Sequence, residues 1–247
     1  MWLILCSSTD SPALWAYEGL QKLGLEPLEL IFPEHLAFAR LWEHRVGAGG
    51  VTVKIVLPDG RTICTSRVRG ALNRLFAPPQ DLIQIGAPSD REYATGEMMA
   101  FYLSWLYGLP GAVINRPAPQ GLSGAWRHSS EWVWLAGLAG LSTPPYRQTG
   151  RDTIDHGYRS LVPANEQVTK LVVLQNQVYG SALPHGVAFA CQKLAKSAGT
   201  ETLGIDVYRA TDSQWIFAAA TPLPDFTIGG TPLLEHMAQI LLNGGRR

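Results

Sequence analysis

Cysteine, charge and long apolar runs are all scarce in this chain of 247 residues, and each scarcity excludes a class of protein. Only three cysteines occur, Cys6, Cys64 and Cys191, without a Cys-x-x-Cys pair, so neither a zinc ribbon nor a disulfide framework is indicated. Charged residues make up 16% and balance at 20 basic and 20 acidic, which gives no reason to expect nucleic-acid or lipid-headgroup binding. The apolar start is too short for a signal peptide or a membrane span, and we expect a cytoplasmic protein.

Familiar catalytic motifs are missing as well. The six histidines show no His-x-His or His-Glu-x-x-His spacing, so a zinc site is not indicated. The sequence contains no Gly-x-Ser-x-Gly elbow of a serine hydrolase and no Gly-x-x-x-x-Gly-Lys-Ser/Thr loop of a nucleotide-binding protein. No metal and no nucleotide loop is therefore expected from motifs alone.

The segments that are present predict an α/β fold. "WLILCSS" reads as a buried strand, and the following helix is predicted to start at Thr9, Asp10 or Ser11 and to end near Gly24. "EPLELIF" is the next strand, so the chain opens as a parallel β-α-β unit. Residues 51–66 predict a hairpin. Residues 90–110 predict a helix that is apolar around most of its circumference and therefore buried.

The second half of the chain predicts helices and antiparallel strands. Residues 129–145 read as a helix ended by Pro144-Pro145, and "TKLVVLQNQVYGSAL" as a hairpin around Gln175-Asn176. A helix and a strand follow, then a partner strand "WIFAAATP" and a last helix capped by Thr231. Residues 146–167 are polar without a period and predict a long functional or mobile loop, whose arginines either bind an acidic partner or face solvent.

In this order, the segments resemble the amide-bond ligases of the ATP-grasp superfamily, in particular the glutamate-adding and peptide-maturing kind. The resemblance extends over most of the chain. "LNRL", "EYATGEMMAFYLSWL", "VINRP" and "LAGLAGLSTP" look like the domain and linker before the ATP site, and "GIDVYRATDSQWIFAAATPLPDF" looks like the metal-binding strand pair. The family uses ATP and two Mg²⁺ ions to form an acyl phosphate that an amine then attacks.

Carried over to this chain, the family's site is incomplete. Asp206 matches the first metal carboxylate, but the family's Glu-x-Asn metal ligands fall on Ala219 and Thr221. An alanine offers no oxygen, and a neutral hydroxyl is a poor substitute for the amide. The arginine of the preceding strand pair falls on Lys170, and Arg209 is a further possible remnant. Asp206 is alternatively a strand-end residue bonded to backbone N–H groups, which we favour, and the "AAAT" run is alternatively a product of tight packing.

Only about two dozen residues lie between the "GLSTPP" helix end and "TKLVVL", without a lysine or a glycine-rich loop. The family has a whole ATP-binding subdomain there. The resemblance therefore implies a parallel-sheet domain over residues 1–118 and a reduced ATP-grasp-like α+β portion over 119–247 that lacks the ATP-binding lid.

The function indicated is a binding or accessory protein without catalysis, which needs no cofactor and associates with a protein partner or with itself. Few charges and many aromatic residues favour such an interface. The alternatives are a minimal ATP-dependent carboxylate–amine ligase completed in trans, with ATP and Mg²⁺, and a binder of small molecules or peptides. Asn73-Arg74 and Asn115-Arg116 either line an anionic substrate cleft or cap loops, with equal weight for both.

Overall fold

The computed structural model of the protein describes residues 1–79, 88–146, 167–210 and 213–244, which divide into two compact units. The first unit contains Met1–Ala125 and Thr231–Arg247, and the second contains Trp126–Gly230. The expected domain boundary at residue 118 stays a prediction; the structure adds that the chain returns to the first unit for its last helix. The expected functional loop lies outside the described residues except at its two ends.

The described part of the chain forms eleven strands and six α-helices. In order they are β1 (Trp2–Leu5), α1 (Ser11–Lys22), β2 (Leu28–Ile31), α2 (Pro33–Ala37), β3 (Leu41–Gly47), β4 (Gly50–Val56), β5 (Thr62–Cys64), β6 (Gly70–Asn73), α3 (Pro88–Tyr107), β7 (Ala112–Ile114), α4 (Ser129–Ala139), β8 (Val168–Leu174), β9 (Gln177–Gly180), α5 (His185–Ala198), β10 (Thr202–Arg209), β11 (Trp215–Thr221) and α6 (Gly230–Gly244). Short 3-10 helices lie at Thr65–Arg67 and Phe226–Gly229.

The first unit is built on a parallel sheet, as the opening β-α-β pattern predicts. Its strand order is β2-β1-β6-β7, and all three pairings are parallel. Asp10 starts α1, since its Oδ1 accepts a hydrogen bond from the Ala13 N–H at 3.2 Å. The last helix, α6, belongs to the same unit, and the indole Nε1 of Trp2 donates to the Leu241 carbonyl at 3.2 Å. Because the strands are parallel, the carboxyl ends of β1, β6 and β7 lie along one edge of the sheet.

A second, antiparallel sheet of the first unit has the order β3-β4-β5. The hairpin around Asp59-Gly60 is confirmed as β4–β5. The sequence analysis missed β3, which pairs with β4 along its whole length. The reason is that the charged and aromatic residues of β3 do not form a recognisable apolar run. One face of this sheet packs on α3, where the Trp42 ring lies 4.5 Å from Phe101 and 5.4 Å from Trp105 between centroids.

Two helix predictions need correction. Residues 90–100 of α3 are exposed or only half-buried, and the fully buried residues lie in its last turns, among them Tyr102, Trp105 and Leu106. Apolar residues on all sides of a helix therefore did not mean burial here. The prolines at 144 and 145 do not end α4, because the helix stops at Ala139 and Gly140 adopts a left-handed conformation with φ 96°. Glycine adopts this conformation without the steric cost of a side chain.

The second unit is an antiparallel sheet covered by two helices. The strand order is β11-β10-β8-β9, which confirms the predicted hairpin at Gln175-Asn176 and the pairing of the last two strands. α4 and α5 pack together on one face and share a core with the sheet that includes Trp132, Leu194 and Phe217. The opposite face of the sheet carries four of the residues that the resemblance singles out, namely Lys170, Asp206, Ala219 and Thr221. No helix among the described residues is long and apolar enough to cross a membrane.

Candidate functional site

Three of the predicted site residues meet on neighbouring strands of the second unit. Asp206 lies in the middle of β10, directly opposite Lys170 on β8 and opposite Ala219 on β11. Directly opposite residues in an antiparallel pair have their Cβ atoms about 4.5–5.5 Å apart. The register of the sheet therefore brings Lys170 together with Asp206 and Ala219, two positions that the sequence resemblance aligned with the family's metal site.

The Asp206 carboxylate is held by a lysine. The Lys170 Nζ donates to Asp206 Oδ2 at 2.9 Å. The alternative of a strand-end aspartate bonded to backbone N–H groups is therefore wrong in its position and in its partner. The Lys170 and Asp206 side chains are 59% and 27% exposed, so solvent screens the pair, and we expect it to contribute about 0–1 kcal/mol to stability.

The position next to Asp206 offers no ligand atom. Ala219 presents only a methyl group at the point opposite the carboxylate. Thr221 lies two residues further along β11, and its hydroxyl oxygen accepts a hydrogen bond from the Leu223 N–H at 3.2 Å. This hydrogen bond fixes the turn that follows the strand. The two positions that the resemblance aligns with metal ligands thus provide a methyl group and a hydroxyl already engaged in the turn.

A second carboxylate, which the sequence analysis did not consider, lines a cavity together with Lys170 and Asp206. Asp225 follows the Pro-x-Pro turn and starts the 3-10 helix, with its Oδ1 accepting from the Thr227 N–H at 3.0 Å and from the Thr227 hydroxyl at 2.7 Å. Its role as a helix start was readable from the sequence, because an aspartate before a short helical segment is a common N-cap. Its place in the lining of this cavity depends on the preceding turn and could not be predicted from the sequence.

These residues surround a shallow cavity of about 260 Å³. Its lining residues are Lys170, Leu171, Gly204, Asp206, Ala219, Ala220, Thr221, Leu223, Pro224, Asp225 and Ile228. Gly204 has to be a glycine, since an added Cβ would come within 2.9 Å of Thr221 and 3.1 Å of Pro224. The cavity is large enough for a small polar ligand, and its lining mixes one cation, two carboxylates and apolar surface.

The donor set does not fit the two-Mg²⁺ cluster that the ATP-grasp resemblance implies. Mg²⁺ requires several oxygen ligands in near-octahedral geometry. Here one carboxylate is paired with Lys170, the other starts a helix, and Ala219 supplies none. The residues described by the structure contain no group of three or more His, Cys, Asp or Glu side chains arranged to hold a metal.

Arg209, the remaining possible remnant, lies outside this cavity. It ends β10, opposite Trp215 on β11, and its side chain is exposed. Arg209 lies three positions after Asp206, and residues an odd number of positions apart lie on different faces of a regular strand. The geometry gives Arg209 no part in the Lys170–Asp206 group.

The Asn-Arg pairs of the first unit lie at the carboxyl ends of β6 and β7. Asn73 is fully buried, and its Nδ2 donates to the carbonyls of Asn115 at 3.0 Å and Leu122 at 2.6 Å. Its Oδ1 accepts from the Leu75 N–H at 3.2 Å. Both ends of the Asn73 side-chain amide are thus hydrogen-bonded to backbone groups, which agrees with the loop-capping alternative.

Arg74 and Arg116 differ in environment. The Arg74 guanidinium is buried and forms two hydrogen bonds to Asp10, with Nε–Oδ2 at 2.7 Å and Nη2–Oδ1 at 3.0 Å. Arg116 donates from Nη2 to the Gly111 carbonyl at 2.9 Å. Asn115 is buried and has a positive φ of 62°, which an asparagine tolerates better than most residues. A role of these residues in substrate binding stays a prediction.

Comparison with solved structures identifies the fold. No protein-family model matches the sequence, and no curated protein does either. Among solved structures, the macrocyclase MdnC from Microcystis aeruginosa MRC, bound with its precursor peptide MdnA, superposes with a TM-score of 0.71 at 14% identity, over 98% of this chain and 99% of that chain. The ATP-grasp ligase PsnB, with a precursor variant, Mg and ADP, gives a TM-score of 0.70 at 15% identity, over 99% and 97% of the two chains.

The fold is that of the ATP-grasp ligases. An ATP-grasp ligase associated with ribosomal peptide products in Chryseobacterium gregarium, in complex with ADP and leader and core peptides, is a third example, with a TM-score of 0.66 at 13% identity over 98% of this chain and 96% of that chain. The ATP-grasp resemblance found in the sequence is therefore confirmed at the level of fold. Identities this low show the fold alone, and the loss of the lid subdomain stays a prediction.

Proposed function

We propose that this protein is a ligase-related binding protein that has kept the ATP-grasp scaffold and lost the catalysis. The observation that carries the proposal is the arrangement of Lys170, Asp206 and Ala219. A lysine neutralises the carboxylate aligned with the family's metal ligand, and a methyl group stands where a second oxygen ligand is needed. A scaffold with this set does not require ATP or Mg²⁺ for its function.

The partner we propose is a peptide or protein, or a second copy of the chain. In three of the similar structures the enzyme is bound to a precursor or leader peptide, so the scaffold can present a peptide-binding surface. This chain also exposes large apolar side chains that a partner could cover, including Phe76 at 63%, Trp134 at 64% and Phe189 at 55%. Its three cysteines are unpaired, which suits the reducing cytoplasm that we expect for it.

The first experiment is a calorimetric titration of the purified protein with Mg-ATP, with Mg-ADP for comparison. We expect no binding heat at millimolar nucleotide. Micromolar binding that disappears in Asp206→Ala would overturn the proposal, because it would show that the remaining carboxylate still serves a nucleotide site. Asp59→Ala is a matched control, since Asp59 is an exposed aspartate in the turn between β4 and β5 of the first unit.

A second candidate is a minimal ligase whose missing ligands come from another chain. Asp225 and Asp206 line the same cavity, which favours this candidate, because two carboxylates could hold a cation if Lys170 moved away. This candidate predicts nucleotide binding only after a partner is added, and loss of that binding in Asp225→Asn. The non-catalytic candidate predicts a stable partner complex that tolerates Asp206→Ala.

A further inference from the structure

Among the residues that the structure describes, no strand pairs with the outer edge of β3 in the first unit. β3 is the terminal strand of the β3-β4-β5 sheet. Within the described ranges, no backbone hydrogen bond other than those to β4 reaches residues 42–47. Unpaired edges attract other strands, and natural proteins cover or protect them. An exposed strand edge of this length therefore needs an explanation.

The pairing with β4 decides which residues of β3 face outward. Gly47 and Gly50 flank a two-residue turn, and the residues that close such a turn form a hydrogen-bonded pair. Pairs alternate along an antiparallel ladder between hydrogen-bonded and non-hydrogen-bonded. The N–H and C=O groups of Trp42, His44 and Val46 therefore point away from β4, towards the free edge.

The side chains along this edge are not protective. Glu43 and Arg45 lie on the same face and form an ion pair, and the Arg45 side chain is 76% exposed. Because the edge carries one acidic and one basic residue, it does not repel a second copy of itself. Val46, on the opposite face, is 70% exposed although its neighbours on that face, Trp42 and His44, pack on α3.

We propose that β3 pairs in antiparallel orientation with β3 of a second copy of this chain, with His44 opposite the partner's His44. The outward-pointing backbone groups allow three central registers, which place Glu43, His44 or Arg45 opposite the same residue of the partner. The first register opposes two glutamates and the third opposes two arginines. Only the register centred on His44 places Glu43 opposite the partner's Arg45, and it does so twice.

The same register covers the exposed valine. Val46 comes to lie opposite the partner's Trp42, on the face where both sheets pack on α3. Residues directly opposite in an antiparallel pair interact favourably when one is aromatic and the other β-branched. The two three-stranded sheets become one continuous antiparallel sheet, and the interface is isologous, as in most symmetric dimers.

This inference names a surface for the self-association that the proposed function includes, but it does not depend on the loss of catalysis. A chain that proved to bind Mg-ATP could still pair through β3. Equally, a monomeric chain would leave the interpretation of Lys170, Asp206 and Ala219 untouched. The two proposals therefore fail separately.

The test is sedimentation velocity of the full chain and of charge-reversal variants. The wild type should sediment as a dimer of 26.9 kDa chains at high concentration. Glu43→Arg and Arg45→Glu should each weaken dimerisation roughly tenfold or more, because each turns two attractive pairs into two repulsive ones. An equimolar mixture of these two variants should form heterodimers, and the chain with both substitutions should dimerise again.

Glu18→Arg, an equal reversal on the exposed side of α1, is the matched control and should dimerise like the wild type. Disulfide trapping reads the register directly. Glu43→Cys chains mixed with Arg45→Cys chains should cross-link efficiently, and Glu43→Cys chains alone should not. A monomeric wild type, a dimer that survives both single reversals, or a mixture that stays monomeric would each overturn the proposal.

Discussion

Removing Arg74 should destabilise the first unit, and the size of the effect separates a structural role from a role in substrate binding. The Arg74 and Asp10 side chains are only 4% and 12% exposed, and two hydrogen bonds of 2.7 and 3.0 Å join them. Arg74→Met leaves the Asp10 carboxylate largely buried without its cation. Breaking a buried pair in this way costs about 3–5 kcal/mol.

The assay is urea and thermal unfolding followed by tryptophan fluorescence. For a chain of this size the loss corresponds to a fall in Tm of about 6–20 °C, at about 2–4 °C per kcal/mol. Asp10→Asn keeps an oxygen for the Ala13 N–H and removes only the charge. The double variant removes both charges, so its destabilisation should be smaller than the sum of the two single ones.

Lys170→Met is the comparison, because this lysine also pairs with an aspartate but is 59% exposed. We expect it to cost at most about 1 kcal/mol. If Arg74→Met costs no more than Lys170→Met, or if the two single variants at positions 10 and 74 are additive, the structural role of Arg74 is refuted. The substrate-cleft interpretation of the Asn-Arg pairs would then be favoured.

Two further predictions concern the cavity and the thiols. Ala219→Glu places a second carboxylate opposite Asp206, so the variant should have a lower Tm in the presence of a chelator, and Mg²⁺ should restore that Tm. Ala219→Gln, which adds no charge, is the control. If Mg²⁺ does not change the Tm of the glutamate variant, the missing-ligand interpretation is contradicted. Burial raises the pKa of both the Cys6 and Cys191 thiols to about 12, so both stay protonated at pH 8. An alkylating reagent should therefore label only the half-buried Cys64 in the native protein, and all three cysteines in urea. Labelling of more than one thiol in the native protein would contradict this expectation, because it would show that the core unfolds locally.

Much of the fold was predictable because local signals and tertiary packing agree. The start of α1 combines a capping aspartate with a proline in the first turn, and the structure uses both. β8 and β9 are joined at Gln175, a residue whose φ of 53° suits a tight turn. In such segments a few neighbouring residues decide the conformation, so no knowledge of distant contacts is needed.

The missed elements are those decided by distant residues. The residues of β3 form a strand because they pair with β4, and because Trp42 packs against the aromatic residues of α3. In α3 the apolar residues surround the helix, but among the described residues the fully buried ones lie in its last turns. Periodicity describes which side of a helix is apolar, and it carries no information about where along the helix the protein core ends.

The candidate site was predictable only through the family resemblance. That resemblance aligned Asp206, Ala219 and Thr221, and the register of β10 and β11 then placed Asp206 opposite Ala219. The Lys170 contact follows from the pairing of β8 with β10, which no local pattern determines. Asp225 lines the cavity because of the Pro-x-Pro turn that follows β11. Arg209 does not line it, because it ends β10 on the other face of the strand.

The strand register does not depend on the residues that face the cavity, because other residues determine it. Ile205, Val207 and Phe217 are fully buried on the core side of β10 and β11, where they pack against α4 and α5, whereas Asp206 and Ala219 face the cavity. A one-residue slip would exchange the two faces, so the buried apolar residues maintain the register whatever occupies the cavity side. Substitutions at the cavity side can therefore remove a metal site without changing the fold. For this reason a TM-score of 0.71 to a macrocyclase is compatible with a chain that ligates nothing, and the test of function has to be made on the few residues of the cavity.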